Sequence, residues 1–258
     1  MNIVGLPALV GTYDNYIWII HNTQHAWVID PGESKQVIDF LEQHQLIAKA
    51  ILVTHNHFDH IDGIADILTH FPEALVYGPE KAKLPAIQIR CKEGDTINFD
   101  NEFMLKVLDT PGHTKDHIAY YNDQALFCGD TLFTAGCGRI LGGTVEQFTD
   151  SIIKLRELPD TTGFYCGHEY TQTNLTFSQL VEPDNIALQN RIKETNIVYP
   201  AKHLGPQSIL GEEKETNPFL RFDTPELKAK LISRGADESP SSLFAHLRAW
   251  KDEFDKQH

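Results

Sequence analysis

Four candidate metal ligands lie within six residues of the sequence, directly after an apolar segment. Residues 50–53 predict a buried strand, so the ligands fall on the loop where that strand ends. Alternate residues of an extended chain point the same way, which lets His55 and His57 converge on one ion. Asp59 and His60, past the strand end, can turn toward a second ion. Imidazole and carboxylate groups suit zinc or iron, so we predict a metal site rather than a polar loop that is merely rich in histidine.

Further candidate ligands follow short apolar segments at three later points of the chain. They are His113, Asp130 and His168. A glycine directly precedes each of them, and glycine allows backbone turns that a side chain would obstruct. Taken alone, each would be an ordinary surface, hydrogen-bonded or turn residue, but the shared pattern of strand, glycine and ligand predicts one site. His117, four residues after His113, either supports the metal ligands from behind or makes a core hydrogen bond.

The motifs and their order resemble the metallo-β-lactamase superfamily and, more narrowly, the hydroxyacylglutathione hydrolase (glyoxalase II) family. Four motifs occur in the order seen in the superfamily, namely T-H-x-H-x-D-H at 54–60, T-P-G-H-T at 110–114, C-G-D-T-L-F at 128–133 and G-H-E-Y-T at 167–171. The first of them is superfamily-wide. The more specific segments are G-C-G-R at 136–139, N-P-F-L-R at 217–221 and the basic segment at 248–254. The resemblance covers nearly the whole chain. It implies an α+β fold, namely a metallo-β-lactamase-like αββα sandwich with a smaller C-terminal helical domain.

The resemblance also implies a site for two divalent metal ions. The expected ligands are His55, His57 and His113 for one ion, and Asp59, His60 and His168 for the other. Asp130 is expected to bridge the two. Such a site keeps net positive charge, which lowers the pKa of a bridging water and makes hydroxide available for attack on a polarised carbonyl. Asp59 or Asp130 could orient that hydroxide. Zinc is expected first, with iron or manganese as alternatives.

The substrate implied by the resemblance is a small-molecule glutathione thioester. The expected reaction is hydrolysis of S-D-lactoylglutathione to D-lactate and glutathione, in methylglyoxal detoxification. An acidic enzyme must place cations locally to hold the carboxylates of glutathione. The residues that match the family's glutathione contacts are Arg139, Tyr170, Arg248 and Lys251. Arg248 and Lys251 are three apart on a predicted helix and can share one face; without the resemblance they would be assigned to a solvated surface.

Leu141 departs from the family, in which many members have an aromatic residue there, so a hydroxyl contact to glutathione is expected to be missing.

The bulk composition fits a soluble enzyme. The chain has 258 residues, 41% hydrophobic content and a formal net charge of -14, which disfavours nucleic-acid binding. We find no secretory signal and no apolar run of roughly 20 residues, so we expect a cytoplasmic monomer without membrane contact. The four cysteines form no C-x-x-C pair, and Cys128 and Cys166 are predicted to be small buried thiols.

The pattern along the chain predicts two unequal parts, residues 1–170 and a mainly helical part over residues 171–258. The resemblance implies that the first is a metallo-β-lactamase-like catalytic domain and the second a glutathione-binding domain. Residues 16–20 and 26–32 predict a pair of strands. Helices are predicted over residues 34–44, 64–68, 145–158, 184–195, 225–232 and 242–254. Ser34 is the expected N-cap of the first of these helices. Residues 211–215 and 235–240 are interpreted as solvated polar connectors.

Other functions remain open on this reading. A persulfide dioxygenase of the same superfamily would be a mononuclear iron oxidoreductase without the helical C-terminal part. A lactonase or β-lactamase would have no use for the basic segment that holds Arg248 and Lys251. A non-catalytic metal-dependent binding module would hold metal without turnover. Oxygen uptake with iron would favour the dioxygenase, and metal without hydrolysis would favour the binding module.

Overall fold

This computed structural model describes residues 1–195 and 197–257, which form fifteen strands and ten helices. The strands are β1 (Asn2–Ala8), β2 (Asn15–His21), β3 (His25–Ile29), β4 (Ile47–Leu52), β5 (Leu75–Pro79), β6 (Ile89–Cys91), β7 (Thr96–Phe99), β8 (Phe103–Asp109), β9 (Ile118–Tyr121), β10 (Ala125–Gly129), β11 (Leu132–Phe133), β12 (Gly136–Cys137), β13 (Gly163–Cys166), β14 (His203–Leu204) and β15 (Ser208–Ile209). The helices are α1 (Lys35–Gln43), α2 (Phe58–Ile61), α3 (Ile64–His70), α4 (Val145–Arg156), α5 (Thr171–Val181), α6 (Ile186–Glu194), α7 (Leu210–Thr216), α8 (Pro218–Arg221), α9 (Pro225–Ser233) and α10 (Pro240–Asp255).

The strands form two main mixed sheets. The first has the order β14-β1-β2-β3-β4-β5-β6, and the second has the order β15-β13-β10-β9-β8-β7. The sequence-predicted strand pair is confirmed as β2 and β3, which run antiparallel with Trp18 opposite Ile29. β4 joins β3 in parallel, and β13 joins β10 in parallel. Candidate metal ligands follow the ends of β4 in the first sheet and of β10 and β13 in the second.

The central strands are buried on both faces, because the two sheets pack on each other and helices cover their outer faces. The molecule therefore has four layers. In β2, Tyr16, Trp18 and Ile20 pack between the two sheets, whereas Ile17 and Ile19 pack against the helices outside the first sheet. This alternation follows from the pleat of a strand, whose successive side chains point to opposite faces. The second sheet is covered on its outer face by a third cluster that includes residues of α4, α5, α9 and α10. The order helix, sheet, sheet, helix is the αββα sandwich that the resemblance implied.

The C-terminal part is joined to both sheets. β14 pairs with β1 at the edge of the first sheet, and β15 pairs with β13 at the edge of the second. α10 packs on α4, where the rings of Phe148 and Phe244 lie 5.3 Å apart. The division into residues 1–170 and 171–258 stays a prediction. None of the described helices has the length and apolar character to cross a membrane.

The predicted helices are confirmed as α1, α3, α4, α6, α9 and α10, with ends that differ by a few residues. Ser34 stands at the N-cap position of α1, but its hydroxyl donates to Asp66 Oδ2 over 3.0 Å instead of capping the helix. Cys128 and Cys166 are buried free thiols, as predicted.

The prediction of a solvated connector at residues 211–215 is wrong. This segment lies in α7, and the side chain of Glu213 is fully buried against Arg191 of α6. Glu213 also accepts hydrogen bonds from the backbone N–H of Ala135, over 2.9 Å, and from Asn217 Nδ2, over 3.0 Å. Four charged residues in a row indicate solvent exposure, but a carboxylate paired with a guanidinium can be buried. The remaining connector, residues 235–240, is exposed apart from Ala236.

Candidate metal centre

The ends of several strands bring the seven predicted ligands together. His55 and His57 follow β4, Asp130 follows β10 and His168 follows β13, so both sheets contribute. The remaining three ligands are Asp59 and His60 on α2 and His113 in the loop between β8 and β9. All are buried except His57, which is half-buried. The site therefore lies at one rim of the sandwich, where its two sheets meet.

Three imidazoles form the first cluster. His57 Nδ1 lies 3.1 Å from His55 Nε2 and 3.0 Å from His113 Nε2. His113 Nε2 also lies 3.4 Å from Asp130 Oδ2. Three nitrogens at this separation can converge on one cation that has tetrahedral coordination. The convergence of His55 and His57 agrees with the alternation expected of an extended segment.

The second cluster contains Asp59, His60 and His168. His60 Nε2 lies 3.4 Å from Asp59 Oδ2, and His168 Nε2 lies 3.5 Å from the same oxygen. Asp130 connects the two clusters, because its Oδ2 lies 3.1 Å from His168 Nε2 and its Oδ1 lies 3.4 Å from His60 Nε2. The ligand atoms of each cluster lie within 4.8 Å of one another. The position of Asp130 between the clusters suits the bridging role expected from the resemblance.

The outward-facing nitrogens of three of these histidines have their own partners. His113 Nδ1 donates to the carbonyl of Arg139 over 2.8 Å, and His168 Nδ1 donates to the carbonyl of Tyr13 over 2.7 Å. His60 Nδ1 donates to Asp30 Oδ2 over 3.1 Å. A proton held on Nδ1 leaves the lone pair of Nε2 directed into the site, which is the tautomer that a metal requires.

Asp30 was not among the residues predicted from the sequence. It is buried with a φ of 51°, and it accepts hydrogen bonds from the backbone N–H of Thr54, over 2.7 Å, and from Thr54 Oγ1, over 2.6 Å. It stands at the end of a strand like the other ligands, because it directly follows β3, but no glycine precedes it and the turn of Pro31 and Gly32 comes after it. Asn15, which donates to Asp59 Oδ2 over 3.2 Å, carries no comparable sequence signal.

Two glycines of the strand ends are required for different reasons. Gly129 has a φ of +48°, a left-handed conformation in which side chains are strained. Gly167 needs no unusual φ, but a Cβ there would lie 2.6 Å from Asp130 Oδ1 and 2.9 Å from His60 Cε1. The glycine before His168 therefore makes room for Asp130.

His117 supports Asp130 from behind. Its Nε2 accepts a hydrogen bond from the backbone N–H of Asp130 over 3.1 Å, and its Nδ1 lies 2.9 Å from Thr110 Oγ1. Burial, with the nearby His113 acting in the same direction, holds the pKa of His117 well below its usual value. A neutral ring is the form that can accept this bond. The two interpretations offered for His117 thus describe one arrangement, a core hydrogen bond that also positions a candidate ligand.

The electrostatics of the cluster favour a cation. Burial disfavours the charged forms of both His60 and Asp130, but attraction to nearby groups of opposite charge outweighs it. Asp130 raises the pKa of His60 well above its usual value, and His168 followed by His60 lowers the pKa of Asp130 well below its usual value. Attraction to His60 likewise overcomes burial at Asp59 and lowers its pKa to about 2. His60 Nε2 and Asp130 Oδ1 are buried atoms without a hydrogen-bond partner. Two ionised carboxylates, a buried carboxylate oxygen without a partner and a histidine that these carboxylates keep protonated fit a site where divalent ions would supply the positive charge instead.

A cavity of about 860 Å³ opens over the two clusters. The four predicted glutathione contacts line it together with Leu141. Tyr170 stacks on the His168 ring at 4.8 Å, and Leu141 is 63% exposed. Arg139 is exposed, whereas Arg248 and Lys251 of α10 are buried. The two helix cations thus lie in the cavity wall rather than on a solvated surface.

Comparison with known proteins agrees with this architecture. Residues 10–168 match the family described as the metallo-beta-lactamase superfamily. Among solved structures, the chain is similar to the BLEG-1 B3 metallo-beta-lactamase, with a TM-score of 0.63 and 23% identity over 84% of this chain and 99% of that one. It is similar to ETHE1 from Myxococcus xanthus, with a TM-score of 0.63 and 24% identity over 96% of this chain and 97% of that one. The fold and the site define a protein of the metallo-β-lactamase superfamily, and its site brings together two groups of residues that could each hold a divalent metal ion.

The narrower family follows from the C-terminal part and from full-length relatives. Residues 169–254 match the family described as the hydroxyacylglutathione hydrolase C-terminus. A hydroxyacylglutathione hydrolase of Hydrogenovibrio crunogenus is 45% identical over 99% of this chain and 96% of its own length. That of Aliivibrio salmonicida is 47% identical over 93% of this chain and 96% of its own length. The chain belongs to the hydroxyacylglutathione hydrolase family, a family of thioester hydrolases.

Proposed function

We propose that this protein hydrolyses the thioester of S-2-hydroxyacylglutathione, with S-D-lactoylglutathione as its substrate and D-lactate and glutathione as products. The observation that carries this proposal is the composition of one cavity. The two His/Asp clusters lie at its base, and three cations, Arg139, Arg248 and Lys251, lie in its wall. A simple lactone has no carboxylate and a bicyclic β-lactam has one, whereas glutathione has two carboxylates, which can use all three cations.

We further propose the assignment of the metal ligands. One ion would be held by the cluster of His55, His57 and His113, and the other by the cluster of Asp59, His60 and His168. Asp130 would be shared. Two divalent ions bound there would polarise the thioester carbonyl and lower the pKa of a water molecule toward neutrality. Zinc is the metal we propose, because nitrogen ligands predominate.

The residues of the chain then account for positioning. Asp59 and Asp130 carry ionised carboxylates, and either could accept a hydrogen bond from the attacking hydroxide and so orient its lone pair toward the carbonyl carbon. Tyr170, fixed by its stack on His168, can donate a hydrogen bond to the glutathione backbone. The cations of the wall fix the carboxylates, which holds the thioester over the clusters. Glutathione leaves as a thiolate, a weakly basic group that needs little help from a protein acid.

The test is loss of thioester absorbance with S-D-lactoylglutathione and metal-loaded protein. We expect hydrolysis by the wild type, a loss of about a hundredfold or more in Asp130→Asn, and wild-type rates in Asp150→Asn, which removes an exposed carboxylate from α4. Elemental analysis of the purified protein tests zinc against iron and manganese. A fully metal-loaded protein that leaves this thioester intact would contradict the proposal.

A monomeric state, cytoplasmic residence and the absence of nucleic-acid or membrane partners complete the proposal. The net charge of -14 supports the exclusion of nucleic acid. Sedimentation of the metal-loaded protein tests the monomeric state, and a dimer that persists on dilution would contradict it.

A further inference from the structure

We propose that Asp255 occupies the cationic end of the cavity in the free protein and competes there with a carboxylate of the substrate. This inference rests on the proposed function, because it concerns how that function's substrate is held. It assigns a role in specificity to a residue near the end of α10, beyond the segment on which the family resemblance was based.

Both carboxylate oxygens of Asp255 face cations of the cavity wall. Its Oδ1 accepts a hydrogen bond from Lys251 Nζ. Its Oδ2 lies 3.4 Å from an Nη atom of Arg248 and 3.9 Å from an Nη atom of Arg139. Asp255 thus contacts each of the three cations that we assign to glutathione.

The contacts follow from the geometry of α10. Arg248, Lys251 and Asp255 stand at positions i, i+3 and i+7, which lie on one face of a helix. The side chain of Asp255 retains 15% of its exposure, compared with 4% for Arg248 and 6% for Lys251. Arg139 reaches the same point from the loop that follows β12. An acid at this position holds the cations in place and also presents a carboxylate to the donors that a ligand carboxylate needs.

A bound anion must therefore share these donors with Asp255 or displace it. Lys251 Nζ has three protons, and the guanidinium of Arg248 already donates to Asp252 and to the carbonyl of Cys137. The donors that face a ligand at this end of the cavity are therefore partly engaged by acids of α10. Because Asp255 contacts the binding cations, its removal is expected to change substrate affinity more than the rate of the chemical step.

The test compares Asp255→Asn with the wild type and with Glu253→Gln. Asparagine keeps the shape of the side chain and removes its charge. Glu253 is an exposed residue of the same helix that pairs with Arg234 at 3.6 Å, so its variant changes the net charge equally at a point away from the cavity. The probe is S-methylglutathione, a stable thioether whose binding to the metal-loaded protein is measured by calorimetry. The same variants are assayed with S-D-lactoylglutathione.

We expect Asp255→Asn to bind S-methylglutathione about two- to fivefold more tightly, the effect of releasing one partly exposed ion pair. KM for S-D-lactoylglutathione should fall by the same factor with kcat unchanged, and Glu253→Gln should leave both values as in the wild type. The dimethyl ester of S-methylglutathione, which has no carboxylate, should gain no affinity. Unchanged or weaker binding of S-methylglutathione, or an equal gain in Glu253→Gln, would overturn the competition. Since this binding requires no turnover, a wild type that fails to hydrolyse the thioester would refute the proposed function separately.

Discussion

Replacing Asp30 by asparagine tests whether the groups behind the clusters control metal binding. Asp30 Oδ1 accepts from the backbone N–H of Thr54, and Oδ2 accepts from both Thr54 Oγ1 and His60 Nδ1. Asparagine can keep the first of these bonds, but its NH₂ group then faces the Nδ1–H of His60. The two donors repel each other, so the proton of His60 moves to Nε2, the nitrogen that faces Asp59 and Asp130. If the asparagine is turned the other way, its NH₂ group faces the backbone N–H of Thr54, and two donors again oppose each other.

The expected loss of metal affinity follows from this change of tautomer. A protonated Nε2 must lose its proton before it can bind metal, and loss of such an outer hydrogen bond typically costs about 10–100-fold in metal affinity, or about 1.4–2.7 kcal/mol. Zinc affinity measured by competition with a chelator should therefore fall by this factor, and kcat/KM at limiting zinc should fall with it. Asp66→Asn, at an exposed acid whose partner is Ser34, is the matched control and should bind zinc normally. Normal zinc affinity in a folded Asp30→Asn protein would refute the reasoning.

Three further changes probe other parts of the structure. Glu213→Gln leaves the buried guanidinium of Arg191 without its main counterion, and we expect a loss of about 3 kcal/mol in the free energy of unfolding, measured with urea. Gly167→Ala places a methyl group 2.6 Å from Asp130 Oδ1, so metal analysis should find a lower metal content and assays about a tenfold or greater loss of kcat. Leu141→Tyr supplies a hydroxyl at the cavity mouth and should lower KM for the glutathione thioester by about two- to fivefold.

Each of these three predictions has an outcome that would contradict it. Wild-type stability of Glu213→Gln would mean that Arg191 finds sufficient partners in Glu212 and Thr216. Full metal content in Gly167→Ala would show that Asp130 can move without loss of its role. An unchanged KM in Leu141→Tyr would place glutathione away from residue 141.

The candidate ligands were accessible to sequence analysis because each follows an apolar strand that ends in a turn. This local pattern places a polar side chain at the rim of a sheet, and the structure brings His55, His113, Asp130 and His168 to one rim. The four-layer architecture came from the resemblance, since mixed strand and helix patterns fit several folds. Asp30 also follows an apolar strand, but no glycine precedes it, and a single aspartate before Pro-Gly is also typical of a simple turn.

Other features depend on contacts between residues that are far apart in the sequence. The pattern of a short stretch of sequence does not predict such contacts. The charged segment of α7 is polar by composition, and only its packing against α6 explains why Glu213 is buried next to Arg191. The role inferred for Asp255 depends on Arg139, which lies more than a hundred residues earlier in the sequence. The helical spacing of Arg248 and Lys251 was visible, but their burial in the cavity wall was not.

The short strands β14 and β15 have a consequence for motion. The segment that contains β14 and β15 is only a few residues long, and it adds one strand to each main sheet. Backbone hydrogen bonds therefore join the C-terminal part to both halves of the sandwich. A hinge movement of the C-terminal part as a whole would have to break these pairs and expose two open strand edges, which are prone to association. α10 itself packs on α4, so a shift of its cations relative to the candidate metal ligands would also require these two helices to separate.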